Sequence, residues 1–214
     1  ISASLVGSEM CIRDSVLCEK PLVLNKGEYN ELVNIANEGK RVLYPCHNYK
    51  FAPSIVHAAY LISLGEIGQP LFASFNIFTA NFPREKPQLQ SDFQKYQELS
   101  SSGIIIDHGL DAISVAQTLF GGSPQRISAH IRNLNQQDSE LEDLAVFCLD
   151  WEEQLININL SSLGSIPKAY YRIQGTKGEI SIENNDVFLS VKNKPVQHIS
   201  CLLYTSDAAD ESVC

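Results

Sequence analysis

The period of the apolar residues changes once along this chain. That change limits the fold to a parallel unit followed by an antiparallel sheet. Val16-Leu17-Cys18 is a short apolar strand end running into Glu19-Lys20-Pro21. Asn25-Lys26-Gly27-Glu28 follows, a side-chain acceptor with Glu three residues on, which is a capping-box pattern. Tyr29, Leu32, Val33 and Ala36 then fall on one helical face, with Gly39 placed to end the helix. Arg41-Val42-Leu43-Tyr44 reads as the next strand and Pro45-Cys46-His47-Asn48 as a loop. Strand, helix, strand is a βαβ unit, the building block of a parallel sheet.

A second helix is expected from Ala52-Pro53 to about Gly65, with Ile55, Val56, Ala59 and Ile62 on its apolar face. Leu71 to Phe78 is apolar and β-prone. Asn81 to Ser102 is polar, with Pro83 and Pro87, and reads as a long loop of the kind that tends to be functional. Gly103-Ile104-Ile105-Ile106 leads into a helix from about Asp107 to Phe120, closed by Gly121-Gly122. From Gln125 the period becomes two: Ile156, Ile158 and Leu160 alternate with Asn157 and Asn159, as in a half-buried strand. Tyr171 to Ile182 reads as a hairpin around Gly175-Thr176-Lys177-Gly178, and Asn184-Asn185-Asp186 as the next turn. The expected fold is therefore α/β followed by α+β, with a domain boundary near residue 50.

The two ends fit none of this. Leu5-Val6-Gly7-Ser8-Glu9-Met10-Cys11-Ile12-Arg13-Asp14-Ser15 has no apolar period, capping logic or turn chemistry, and it lacks the basic region and apolar run of a signal peptide. It resembles a frame translation of a transposase sequencing adapter. Cys201 to Glu211 resembles the translation of the opposite adapter. Residues 1–15 and 201–214 are accordingly expected to be adapter-derived and to play no part in the fold. The natural insert, about Val16 to Ile199, is expected to be an internal fragment of a longer protein.

Of the formal net charge of −9, Glu9, Arg13 and Asp14 contribute −1 and Asp207, Asp210 and Glu211 contribute −3, leaving −5 for the insert. Such a chain offers no basic patch for nucleic acid. No apolar run approaches membrane-spanning length, so no membrane partner is expected. Cys18, Cys46 and Cys148 are odd in number and widely spaced; they read as reduced, buried thiols of a cytoplasmic protein.

Three stretches could carry chemistry. Glu19-Lys20-Pro21 ends a parallel strand, where such sheets hold their ligands, and a lysine there can place a charge on an alcohol or carbonyl oxygen. Taken alone, it also suits a solvated loop. Asp107, His108 and Asp111 lie at a helix start, with the two aspartates at i, i+4. Acidic residues at a helix N-terminus also have a purely structural use. His47-Asn48-Tyr49-Lys50 is a polar turn before a helix. A metal bound by His47, His108 and the aspartates would need ligands to converge, which the spacing does not show, so no metal is expected.

Taken together, VLCEKPLVLN, VLYPCHNYKFAPS, LGEIGQP, SSGIIIDHGLDAISVAQTLFGG and RIQGTKGEISIEN resemble the glucose–fructose oxidoreductase and inositol dehydrogenase family. The resemblance covers essentially the whole insert, in order. It implies the truncated C-terminal end of a Rossmann domain over 16–50 and a substrate and oligomerisation domain over 51–200. The latter would be a mostly antiparallel open sheet with helices on one face. It further implies hydride transfer between NAD or NADP and the carbinol carbon of a sugar, cyclitol or related polyol, and a homo-oligomer, dimer or tetramer, of the complete protein. The resemblance places Glu19, Lys20, Pro21, His47 and Asn48 at the cofactor, with the Lys20-Pro21 bond open to the cis form. It places Tyr49, Lys50 and His108 at the substrate, and Lys20, Asp107 and Asp111 at the chemistry.

The sequence departs from the family pattern twice. The family motif Asp-x-Gly-x-His reads Asp107-His108-Gly109-Leu110-Asp111, so an aspartate stands where a proton-relaying histidine is expected. An ordinary aspartate titrates near ~3.9 and is a weak base for an alcohol at neutral pH. Asp111 is thus an unusual base, or the mark of a member with different chemistry, or the mark of a catalytically silent member that binds sugar or serves in oligomerisation. Second, no GxGxxG follows a strand. The phosphate-binding loop is missing from these residues, and the polypeptide by itself is expected to bind dinucleotide weakly and to be inactive.

Overall fold

The computed structural model describes residues 15–23, 25–80, 103–134, 141–183 and 185–201. Most of both expected adapter segments and the whole polar stretch 81–102 lie outside the described residues.

Strand β1 (Val16–Glu19), helix α1 (Lys26–Glu38) and strand β2 (Leu43–Cys46) form the expected parallel unit. Asn25 caps α1: its side-chain oxygen accepts from the Glu28 amide at 3.0 Å. Leu32, Val33 and Ala36 are half-buried, but Tyr29, expected on the same face, is 49% exposed, and no α1 residue is fully buried. Glu19 pairs with Cys46, so Lys20 and His47 leave the carboxyl ends of the two strands side by side.

A 3-10 turn (Asn48–Phe51) leads into α2 (Pro53–Ser63). This helix buries Ser54, Ile55, Ala58 and Leu61. Val56, expected inward, is 51% exposed. The helix is apolar nearly all round, so sequence spacing alone does not choose its inner stripe.

Among the described residues that follow, eight strands form one open sheet: β3 (Pro70–Ala80), β4 (Arg126–Arg132), β5 (Leu144–Asp150), β6 (Leu155–Gly164), β7 (Lys168–Gly175), β8 (Gly178–Glu183), β9 (Asp186–Val191) and β10 (Gln197–Ser200). Their spatial order is β10-β9-β8-β7-β3-β6-β5-β4. All neighbours are antiparallel except β3 and β6, which run parallel. Alternation buries one face: Phe75, Ile158, Leu149, Ile173, Ile180 and Leu189 are all at most 2% exposed. With α2 and α3 (Leu110–Phe120), these residues form one core among the described residues. On the other face Asn159 donates to Asn76 at 2.8 Å, across the one parallel junction.

Two features set the helix that meets this core. The turn Ile105–Gly109 ahead of α3 is a π-helical turn, not the regular helix that the sequence suggests from Asp107, and the Leu110 amide reaches back to the Ile105 carbonyl. At its other end α3 stops at Gly121, with φ 75°, whose carbonyl accepts from the Trp151 indole at 2.8 Å. The four described cysteines are free thiols, half-buried rather than buried.

Candidate active site

The π turn lies against β6: a methyl group at Gly109 would approach Leu160 Cδ1 at 3.3 Å. That contact seats the first turn of α3 on the sheet and brings Asp111 over the carboxyl ends of β1 and β2. Lys20 Nζ lies 3.0 Å from Asp111 Oδ2, and His47 Nδ1 lies 3.7 Å from Asp111 Oδ1. Lys20 also donates to the main-chain carbonyl of Asp107. The Asp111 side chain is 5% exposed, those of Lys20 and His47 21%.

The ammonium and the carboxylate attract at 3.0 Å, but the approach is off the hydrogen-bonding direction. Both Asp111 oxygens and His47 Nδ1 are left without a hydrogen-bond partner among the described residues. At 3.7 Å a neutral imidazole makes no hydrogen bond to the carboxylate, so that contact is electrostatic and exists only when His47 is protonated. A buried carboxylate with two empty acceptor positions is costly unless something supplies donors. A ligand hydroxyl would do so.

The other expected site residues are distributed unevenly. The Lys20-Pro21 bond is cis and Pro21 is half-buried, whereas Glu19 is exposed at the end of β1. Asn48 and Tyr49 are exposed in the 3-10 turn beside the start of α3. Lys50 Nζ lies over two aromatic neighbours, 4.7 Å from the centre of the Tyr44 ring and 5.1 Å from that of Phe51. His108 and Asp107 are half-buried on the π turn. Among the described residues no group of three or more His, Cys, Asp or Glu is arranged to hold a metal ion.

Tyr171 is a residue that sequence reasoning assigned only to a strand. It stands on the buried face of β7, its ring edge-on to Phe75 at 5.0 Å between centres. Burial raises its phenol to about 12, and the nearby Tyr49 and Asp111 add to the rise. It therefore remains a neutral donor throughout the working range of an enzyme. The alternation that buries Ile173 also turns Tyr171 inward, and a half-buried phenol is the signal that could have found it.

The shift of Tyr171 has a measurable consequence. The neutral form is favoured in the fold, so its contribution to stability is complete below the unfolded value near ~10 and is lost as pH rises toward about 12. Wild type is expected to lose about 2 kcal/mol across that window that Tyr171→Phe does not lose. Urea midpoints of both proteins at pH 9 and pH 11.5 give the comparison. Parallel alkaline losses would refute it.

Residues 55–181, more than half of the chain, match the GFO/IDH/MocA C-terminal domain. A 2,7-anhydro-N-acetylneuraminate hydratase of Mediterraneibacter gnavus is 27% identical over 184 residues, covering 80% of this chain and 46% of that protein. A D-xylose 1-dehydrogenase (NADP(+)) of Haloferax volcanii is 28% identical over 173 residues, covering 81% and 50%. The chain thus spans about half the length of these relatives. The crystal structure of an inositol dehydrogenase homologue from Azotobacter vinelandii, complexed with NADH and myo-inositol, superposes with a TM-score of 0.72 at 19% identity. It covers 87% of this chain and 49% of that one. At that identity the likeness shows the fold. No helix among the described residues is long and apolar enough to cross a membrane. On the match over 55–181, the chain belongs to the GFO/IDH/MocA family.

Proposed function

We propose that this chain supplies the substrate half of the active site of an oxidoreductase that moves hydride between NAD or NADP and a CH–OH carbon of a sugar, cyclitol or related polyol. The carrying observation is the Lys20–Asp111 pair at 3.0 Å, its carboxylate buried and lacking hydrogen-bond donors. Relatives named as a dehydrogenase for D-xylose and as an inositol dehydrogenase homologue support the reading.

The carboxyl ends of β1 and β2 fit a nicotinamide cofactor: Lys20 and His47 leave them side by side, and His47 Nδ1 lacks a partner among the described residues. When bound, the nicotinamide ring supplies the two-electron chemistry. The residues of this chain handle the proton. The substrate hydroxyl donates to an Asp111 oxygen, and its own oxygen accepts from Lys20 Nζ. As the alcohol carbon gives up hydride, the hydroxyl proton passes to the carboxylate and Lys20 stabilises the oxygen that becomes the carbonyl. Tyr171 and Tyr49 border the same space, and the Tyr171 phenol, held neutral, is a donor for a further hydroxyl. In this reading the complete protein is a cytoplasmic dimer or tetramer.

A second reading rests on Asp111 itself. It stands where the family pattern has a histidine and is already paired with Lys20 at 3.0 Å, so a sugar-binding member without turnover is the alternative. The complete protein, given NAD or NADP and a panel of polyols, is expected to change absorbance at the reduced-cofactor band with at least one of them. Because one relative is named a hydratase, products are also weighed for gain of water without net cofactor reduction. Sugar binding with neither change would support the silent reading.

A further inference from the structure

We propose that Glu142 is a positioning residue of this site, holding the π turn in the shape that presents Asp107 and Asp111 to Lys20. The proposal rests on the reading that Lys20 and Asp111 carry the chemistry, and its test separates the two.

Glu142 lies just ahead of β5, far from the site in sequence. It meets the start of the π turn through main chain and side chain together. Its carbonyl accepts from the Ile104 amide at 3.3 Å, and its Oε1 accepts from the Ile105 amide at 3.2 Å. These are two of the amide donors that a helix start leaves without intrahelical partners. A carboxylate there also complements the positive end of the helix dipole.

From that clamp a continuous set of bonds runs to the site. The Gly103 carbonyl accepts from the Asp107 amide at 3.3 Å. The Ile105 carbonyl takes the Leu110 amide, which closes the wide turn and sets the direction of Asp111. The Asp107 carbonyl takes the Lys20 ammonium. Lys20 therefore touches the turn at both edges, at the Asp107 carbonyl and the Asp111 carboxylate. Releasing the turn at Ile104 and Ile105 would let it relax toward a regular helix, and the two contacts could not then both survive. A wide turn has fewer hydrogen bonds than an α-helix of the same length, so it needs outside support to persist.

Gly103 makes the clamp possible. A Cβ there would fall on the Glu142 carboxylate. The group in the way is the free end of a flexible side chain, so Gly103→Ala displaces the carboxylate without forcing the main chain apart.

The test reads Lys20 directly, in this chain, by mass spectrometry of lysine acylation under limiting reagent. Lys20 is expected to react several-fold faster in Glu142→Ala and in Gly103→Ala than in wild type. Glu142→Gln, which keeps an acceptor oxygen, is expected to return it toward the wild-type rate. Lys192 and Lys177, on the far hairpins of the sheet, serve as references. An unchanged Lys20 rate in Glu142→Ala would overturn the proposal. So would equal acceleration of all three lysines, which would make Glu142 a general prop of the fold. In the complete enzyme the same variants are expected to lower kcat about tenfold with little change in KM. Faster Lys20 labelling with full turnover would keep the role of Glu142 and remove Lys20 from the chemistry.

Discussion

Lys20→Met is expected to lower kcat for polyol oxidation by about 10²- to 10⁴-fold in the complete enzyme, the range that a positioned proton-handling group contributes. The same change is expected to destabilise the fold. Asp111 is 5% exposed, and without Lys20 its charge is left in a site with no hydrogen-bond donor among the described residues. Deleting one member of a buried ion pair costs about 3–5 kcal/mol, and the partial exposure of Lys20 points to the lower end. Adding Asp111→Asn should recover most of that stability, because the stranded charge is gone, while turnover stays lost. Urea unfolding of the two variants, with reduced-cofactor absorbance on the same preparations, separates the effects. A Lys20→Met protein with the wild-type midpoint and wild-type turnover would remove the pair from both roles.

Phe75→Ala should produce the largest loss of stability, about 3–5 kcal/mol. Phe75 has no exposed surface and sits on β3, at the centre of the eight strands with β6 and β7 on either side. Its loss empties the middle of the core and removes the edge-on contact that holds the Tyr171 ring. Thermal unfolding should shift down by roughly 10 °C for a domain of this size. Phe75→Leu, which refills most of the volume, should recover more than half. If Phe75→Ala melted within about 2 °C of wild type, the core would be centred elsewhere.

Much of this fold can be read from local pattern. Ile156, Ile158 and Leu160 are each fully buried, as their alternation with asparagines requires. Asn25 caps α1, and Gly121 closes α3, because those residue types solve local hydrogen-bonding problems that any helix has. What escapes local reading depends on distant neighbours. The parallel pairing of β3 with β6 joins residues about eighty positions apart, and no period announces it. Asp107 and Asp111 are spaced as on a regular helix, yet the turn between them is wide. Its shape is decided by Glu142 and by the seat of Gly109 on Leu160. Within the site, Lys20, His47 and Asp111 were named by resemblance, and the structure brings them together. Lys50, placed near the substrate by the same resemblance, lies over the Tyr44 ring. Tyr171 and Glu142 arrive by strand pairing and a loop clamp, which leave no mark in a short window.

The wide turn has a genetic reading. A π turn holds one residue more than the α-helical path between the same two ends. Loss of a single codon between Ile105 and Gly109 would let the main chain close into an uninterrupted α-helix running to Phe120. Such a helix would be better bonded, and its two ends would stay where they are, but the residue lost would come out of the wide turn itself, and the carbonyls that the turn now holds out of the ladder would be drawn back into it. The Asp107 carbonyl, which now takes the Lys20 ammonium, would turn to the ladder while Asp111 stayed seated on the sheet. A more regular protein thus lies one in-frame deletion away, and it would be one in which Lys20 has lost its hold on the turn. Selection for stability alone would favour that deletion, so its absence from active descendants would be a record of what the turn is kept for.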